Sequence, residues 1–157
     1  MDKLFQLVNL LPMPVWLAMI FAPRARVTRQ ASRSSVVFAL AGLSYVLSLV
    51  LAVATGRRSG QSISPQDFTS LDGIRKGFGT REGALAAWTH MLALDLFAGA
   101  WIYRESMRLS APVWVRVPSL VFTLMTGPFG LLIFLVWRVL GGRQPLSLPA
   151  GDTASAD

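Results

Sequence analysis

The stretch ALAAWTHMLALDLFAGAWIY, residues 84–103, decides the fold of this chain. It is almost entirely apolar, and a helix of about 20 residues spans the ~30 Å hydrocarbon core of a bilayer. Trp88 lies near one end and Trp101 with Tyr103 at the other, where membrane proteins place interfacial aromatic residues. The stretch therefore predicts a transmembrane helix with Asp95 near mid-depth.

Three further apolar stretches predict a bundle of four transmembrane helices. They cover about residues 4–21, 36–54 and 118–140. Over the whole chain 15% of residues are charged, whereas a soluble domain carries about 25%. Four strands cannot close a barrel, and lipid does not tolerate open sheet edges. We therefore predict an all-α, polytopic integral membrane protein, with one domain over residues 1–140.

The connection between the second and third predicted helices is too long to be a simple turn. Its segment SPQD, residues 64–67, carries helix-start signals, and apolar residues follow at Phe68, Leu71, Ile74 and Phe78. This spacing predicts a short amphipathic helix in the membrane interface, with an irregular loop as the alternative. The tail 141–157 is rich in Gly, Pro, Ser and Ala, a composition that predicts disorder.

The net charge of +7 is placed as membrane proteins place it. Almost every Arg or Lys lies at an end of an apolar run, and none forms a stripe interleaved with stacking aromatics. This predicts membrane lipids as partners and excludes nucleic acid. Raw counts of basic residues do not decide the orientation. The first loop has four Arg and no acidic residue between 22 and 35, which favours the short loops in the cytoplasm and both termini outside.

Metal and thiol chemistry have few ligands in this sequence. The chain has no Cys and one His. A single copy therefore lacks the residues for a zinc cage, an iron–sulfur cluster or bis-His haem, and we predict no metal and no cofactor. The remaining chemistry is proton handling by a buried carboxyl group, with an apolar substrate entering sideways from the lipid.

Asp95 is the first candidate for that chemistry. An ionised carboxylate at mid-depth costs roughly 2.5–3.5 kcal/mol on insertion scales, so Asp95 must face protein or trapped water, or hold its proton. Residues seven apart differ by about 20° on a helix, which puts Trp88 and Asp95 on one stripe with Gly99 nearby. Asp95 is a candidate catalytic acid. A carboxyl group that only hydrogen-bonds a neighbouring helix is the alternative.

His90 is the second catalytic candidate, with an ordinary interfacial His as the alternative. It lies five residues before Asp95, about 140° around the helix, so a direct dyad is not expected. Asn9 lies at the depth of His90, and we predict a hydrogen bond between them. Tyr45 and Thr126 lie at the depth of Asp95, where Gly127-Pro128 predicts a kink. The candidate substrate-binding residues are Trp88, Asn9, Tyr45, Thr126 and Gly99.

Several short motifs between residues 4 and 140 carry a family resemblance. They are NLLPMPVW at 9–16, SLDG at 70–73, AWTH at 87–90, DLF at 95–97 and GPFG at 127–130. Together they resemble the abscisic-acid-deficient-four-like family, which comprises the plant membrane protein needed for neoxanthin synthesis and its bacterial relatives. The resemblance implies a four-helix membrane protein linked to carotenoid or xanthophyll conversion. It supplies no established catalytic residues.

Three functions follow as expectations. The first is an enzyme or binding accessory for a carotenoid or other apolar isoprenoid, in which Asp95 acts as a general acid at an allylic or epoxide oxygen. The second is a non-catalytic membrane scaffold or partner subunit. The third is a proton-coupled carrier assembled as an oligomer. We predict the first, in a multi-pass protein of the bacterial cytoplasmic membrane, and leave open whether it is an enzyme.

Overall fold

The computed structural model describes residues 2–58 and 65–141, and all regular structure within them is helical. The elements are α1 (Asp2–Leu10), α2 (Met13–Phe21), α3 (Arg26–Ala31), α4 (Ser35–Arg58), a 3₁₀ helix (Pro65–Thr69), α5 (Leu71–Phe78), α6 (Arg81–Arg108), α7 (Val113–Thr126) and α8 (Pro128–Leu140). The all-α prediction is confirmed. The tail predicted to be disordered lies outside the described residues, apart from Gly141.

Within residues 2–58 and 65–141, three helical segments are long and apolar enough to cross a membrane. They are Asp2–Phe21, which joins α1 and α2, then α4, and then α6. The first segment is interrupted at residues 11–12, where Pro12 and Pro14 cannot donate the backbone hydrogen bonds of a continuous helix. The exposed surface of all three segments carries many large apolar side chains, as contact with lipid requires.

The core lies where α2, α4 and α7 pack against α6. Trp16 is 1% exposed, and its ring lies against Gly99 so closely that a Cβ on Gly99 would overlap it. Tyr103 is also buried, and its hydroxyl donates to the carbonyl of Pro23 at 2.5 Å. At the other end of α6, Arg81 pairs with Asp2 at 3.4 Å. The first segment therefore runs parallel to α6, from the start of that helix towards its end.

The predicted fourth span, residues 118–140, is not a single helix. It is divided at Gly127, which has φ 59° and ψ −97°. Gly130 of α8 packs against the backbone of Ser119 and Thr123 in α7. In a continuous helix residues 119 and 130 would be about 16 Å apart, so α8 must fold back along α7. The two helices form a hairpin where a kinked span was expected.

The hairpin returns to the end of the bundle from which it started. The Phe134 ring lies 5.7 Å from Trp101, and the Arg138 guanidinium lies 5.9 Å from the same indole. Each arm is only about 20 Å long, too short to cross a bilayer alone. Asp2 and Leu140 therefore lie at opposite ends of the bundle. The prediction of four spans with both ends of the domain on one side is therefore not confirmed.

The connection before α6 contains the predicted helix, six residues later than expected. α5 begins at Leu71, and the Ser70 hydroxyl caps it by accepting from the Gly73 amide at 3.1 Å. The residues 65–69 before it form a 3₁₀ helix instead. Thr80 caps α6 in the same way, accepting from the Gly83 amide at 3.0 Å. The location of α5 in a membrane interface stays a prediction.

Labelling with an impermeant maleimide tests the hairpin, because the chain has no Cys of its own. Gln30→Cys reports the end of the bundle at α3, Gln66→Cys reports the opposite end, and Leu140→Cys reports the end of α8. We expect Leu140→Cys and Gln30→Cys to react from the same side of the membrane and Gln66→Cys from the other. Reaction of Leu140→Cys from the same side of the membrane as Gln66→Cys would instead establish a fourth crossing.

Candidate functional site

Asp95 lies at the middle of α6, and its carboxyl group meets the tip of the hairpin. A Cβ on Gly127 would lie 2.5 Å from Oδ1 of Asp95. The carboxyl group therefore occupies the space that a side chain at the tip would take. Asp95 is half-buried and faces protein on this side, as its position in the helix requires.

A cavity of about 150 Å³ lies beside this carboxyl group, between α6 and the tip of the hairpin. It is lined by Trp88, Met91, Leu92, Asp95, Leu124, Met125, Thr126, Gly127 and Pro128. The lining is apolar except for the Asp95 carboxyl, the Thr126 hydroxyl and backbone groups. The Thr126 hydroxyl donates to the carbonyl of Phe122 at 2.8 Å. Asp95 is thus the one acid in the cavity wall.

Trp88 joins the cavity to α1. Its indole Nε1 donates to Oδ1 of Asn9 at 3.0 Å, and Nδ2 of Asn9 donates to the carbonyl of Phe5 at 2.6 Å. The predicted bond between Asn9 and His90 is wrong, because the amide of Asn9 is occupied by Trp88. His90 is two residues further along α6, about 200° around the helix, and points away from α1.

His90 pairs with Tyr45 of α4 instead. Their ring centroids are 4.9 Å apart with the planes tilted by 60°. His90 is exposed and Tyr45 half-buried, on the face of α6 that packs against α4. The predicted cluster of Tyr45, Asp95 and Thr126 is therefore divided: Thr126 lines the cavity with Asp95, and Tyr45 does not.

The candidate residues fall into three places. Trp88, Asp95 and Thr126 line the cavity, with Asn9 behind Trp88. Tyr45 and His90 form a separate pair, and Gly99 makes room for Trp16. The roles assigned to these residues stay predictions. Within residues 2–58 and 65–141, no three His, Asp or Glu side chains converge as metal ligands would.

The sequence reasoning missed the apolar lining of the cavity. Met91, Leu92, Leu124 and Met125 are ordinary residues of a membrane helix and carry no local signal. Their spacing does contain one clue. Met91 and Leu92 follow Trp88 by three and four residues and precede Asp95 by four and three, so they lie on the same side of α6 as Trp88 and Asp95. Leu124 and Met125 reach the cavity only because the chain reverses at Gly127.

Comparisons with known proteins match most of the chain. The sequence profile of the ABA DEFICIENT 4-like family matches residues 3–134. The chain is similar to Protein ABA DEFICIENT 4, chloroplastic, of Arabidopsis thaliana, with 30% identity over 132 residues. That alignment covers 84% of this chain and 59% of the plant protein. A comparison with solved structures found no match.

Substitution of the glycine at the tip should destabilise the hairpin. In Gly127→Ala the positive φ is strained and the new methyl group meets the Asp95 carboxyl, so we expect a loss of about 1–3 kcal/mol in the free energy of unfolding in detergent. Gly42→Ala is the control, because no atom lies within 4 Å of the added Cβ there. Equal effects of the two variants would contradict the close contact at the tip.

A double-mutant cycle tests the bond between α1 and α6. Asn9→Leu and Trp88→Phe should each lower the free energy of unfolding by about 1 kcal/mol, and the double variant should lose less than their sum because one hydrogen bond is removed twice. In the control cycle of Asn9→Leu with His90→Phe, the losses should add within about 0.5 kcal/mol. Coupling in the control cycle would instead support the hydrogen bond predicted from the sequence between Asn9 and His90.

Proposed function

The chain belongs to the ABA DEFICIENT 4-like family, and from that premise we propose that it binds an apolar isoprenoid of the carotenoid type and takes part in its conversion. The chain spans about 59% of the length of the plant relative that it matches. Support comes from the Asp95 carboxyl group in the wall of a largely apolar cavity at the middle of α6.

The size of the cavity favours a ligand that is only partly enclosed. An apolar cavity of about 150 Å³ accommodates a group of the size of benzene, whereas pockets that enclose a whole drug-sized ligand measure about 300–1,000 Å³. One ring of a long isoprenoid fits the smaller volume. The rest of such a molecule would lie along the exposed apolar surface of the bundle, among the lipid chains.

The side walls of the cavity allow that arrangement. Met125 is 71% exposed, and Met91 and Trp88 are also exposed, so apolar side chains lead from the outer surface to Asp95. Methionine side chains are flexible and fit irregular apolar ligands. A ligand could therefore enter from the membrane without passing through water.

The proposed chemistry is acid–base work at Asp95. In its protonated form the carboxyl group donates a proton to an epoxide oxygen as one of its two carbon–oxygen bonds breaks, and the oxygen stays on the other carbon as a hydroxyl group. The resulting carboxylate then removes a proton from a neighbouring carbon, and a new double bond forms. The substrate is isomerised, no oxidant or reductant is consumed, and Asp95 regains its proton.

The rigid surroundings of Asp95 suit this role. The carboxyl group is carried at the middle of the longest helix and is held beside Gly127 at the hairpin tip. A catalytic group that is already held in position loses less entropy when it reaches the geometry of the reaction.

We propose that the protein lies in the bacterial cytoplasmic membrane. An oligomer or a membrane partner protein stays a prediction.

The variant Asp95→Asn separates acid chemistry from binding. It keeps the shape of the side chain but cannot donate a carboxyl proton, so we expect at least a hundredfold loss of conversion with the ligand still retained. Pigments and other isoprenoids are extracted from a deletion strain complemented with each variant and are identified by mass spectrometry. Asp2→Asn is the control, since that carboxyl group is 86% exposed and lies outside the cavity.

The outcomes distinguish the parts of the proposal. A profile in Asp95→Asn that matches the original chain would remove the acid role. An unchanged isoprenoid profile in the deletion strain, with altered stability of another membrane protein, would contradict the carotenoid proposal and favour the scaffold. Apolar ligands that co-purify with the original chain and are lost with Met125→Glu would support binding in the cavity.

A further inference from the structure

Four arginines lie at the end of the bundle opposite to Asp2, namely Arg29, Arg33, Arg104 and Arg116. Arg104 donates to the carbonyl of Ser32, the residue before Arg33, and Nη1 of Arg116 lies 3.7 Å from the sulfur of Met107 in α6. These residues come from three elements: α3 and the turn after it, α6, and α7. They are distant in sequence and meet only because the first loop and the hairpin both fold against the end of α6.

The backbone around this cluster is held in place by hydrogen bonds. Tyr103 donates to the Pro23 carbonyl, and Arg104 donates to the Ser32 carbonyl. The buried Thr28 hydroxyl donates to the Ala22 carbonyl at 2.8 Å. α3 is thereby fixed on the bundle, and the arginines it carries keep their positions.

Carboxylates do not neutralise the cluster. In the described part of the chain, Glu105 is the acid at this end, and Arg108 already binds both of its oxygens at 2.7–3.1 Å. Nε of Arg116 is buried and has no hydrogen-bond partner, and Nη1 of the same side chain donates to the Met107 sulfur at a distance of 3.7 Å. Converging guanidinium groups without counter-charge favour a bound anion.

The hairpin concentrates positive charge at this end. In the part of the chain that the structure describes, Glu105 is the single acid at this end. The basic residues at this end are Arg24, Arg26, Arg29, Arg33, Arg104, Arg108, Arg116 and Arg138. The opposite end has Lys3, Arg57, Arg58, Arg75, Lys76 and Arg81, balanced in part by Asp2, Asp67, Asp72 and Glu82. A fourth span would have placed Arg138 with the second group.

Exposed apolar side chains beside the cluster identify the kind of anion. Trp114 is 72% exposed two residues before Arg116, and Val27 in α3 and Phe21 at the end of α2 are also exposed. Arginine beside exposed aromatic and aliphatic groups at a helix end is the arrangement found at the level of lipid headgroups. A free phosphate ion would not require the apolar neighbours, whereas a phospholipid brings acyl chains to cover them.

We propose that Arg29, Arg33, Arg104 and Arg116 form a binding site for the phosphate of an anionic phospholipid headgroup. The site lies eight residues from Asp95 along α6, measured at Tyr103, and does not depend on the function proposed for the cavity. It also orients the protein, because basic loops and anionic lipid both favour the cytoplasmic leaflet. The α3 end then faces the cytoplasm and Asp2 lies outside.

Lipid retention by the purified full chain tests this site. The protein is exchanged into nanodiscs of phosphatidylcholine with 10% phosphatidylglycerol, and the lipids that remain bound in detergent are counted by native mass spectrometry. Since each arginine near the surface contributes about a fivefold preference for anionic lipid, Arg29→Gln/Arg116→Gln should lower phosphatidylglycerol retention about 25-fold. Arg57→Gln/Arg58→Gln is the control at the opposite end and should retain it. Arg104 is kept because its bond to Ser32 joins α6 to the first loop, whereas the exposed Arg29 bonds to Arg24 within that loop.

Three results would overturn the proposal. One is equal retention by the two double variants, and another is equal retention of phosphatidylcholine and phosphatidylglycerol by the original chain. The third is displacement of phosphatidylglycerol by millimolar inorganic phosphate, which would identify a site for the free ion. Circular dichroism and the melting temperature in pure phosphatidylcholine verify that each variant is folded, and Arg116→Lys, which keeps the charge, should retain most of the lipid.

Discussion

The reversal of the chain at Gly127 is the constraint on which the rest of the structure depends. A residue with φ 59° and ψ −97° is strained unless it is a glycine, and a side chain there would strike the Asp95 carboxyl. The missing side chain allows α8 to fold back along α7. The reversal gives the cavity its second wall and places Arg138 at the end of the bundle that is already basic.

The same reversal explains how a carboxyl group is accommodated in the middle of a membrane helix. An acid facing acyl chains would have no polar neighbour, and burying it there is costly. The hairpin tip supplies backbone polar groups at that depth, where a continuous helix would present only its side chains. Non-helical backbone is tolerated at membrane depth where protein surrounds it. The close contact between Asp95 and Gly127 therefore places the carboxyl group against protein and also requires a glycine at the turn.

α6 carries both sites and separates them. The cavity lies at its middle, where the surroundings are apolar, and the arginine cluster lies at its end, where we propose that a lipid headgroup binds. The proposed ligands differ accordingly: an isoprenoid enters the cavity from the side, and an anionic phospholipid binds at the rim. Bound lipid at the α3 end would also stabilise the start of α7 through Arg116, and so the base of the hairpin whose tip meets Asp95.

The sequence by itself determined that the chain is helical, that three of its four apolar stretches are helices of membrane length, and that Asp95 lies at the middle of the third, because these features depend on local composition and spacing. Only the tertiary structure decided that residues 113–140 form a hairpin, since an apolar run of this length suits one span or two short arms equally well. Gly127-Pro128 indicated a break, but the angle depends on contacts such as Gly130 against Ser119. The partners of Trp88 and His90 were also decided there, because helix rotation sets them and residue depth alone does not.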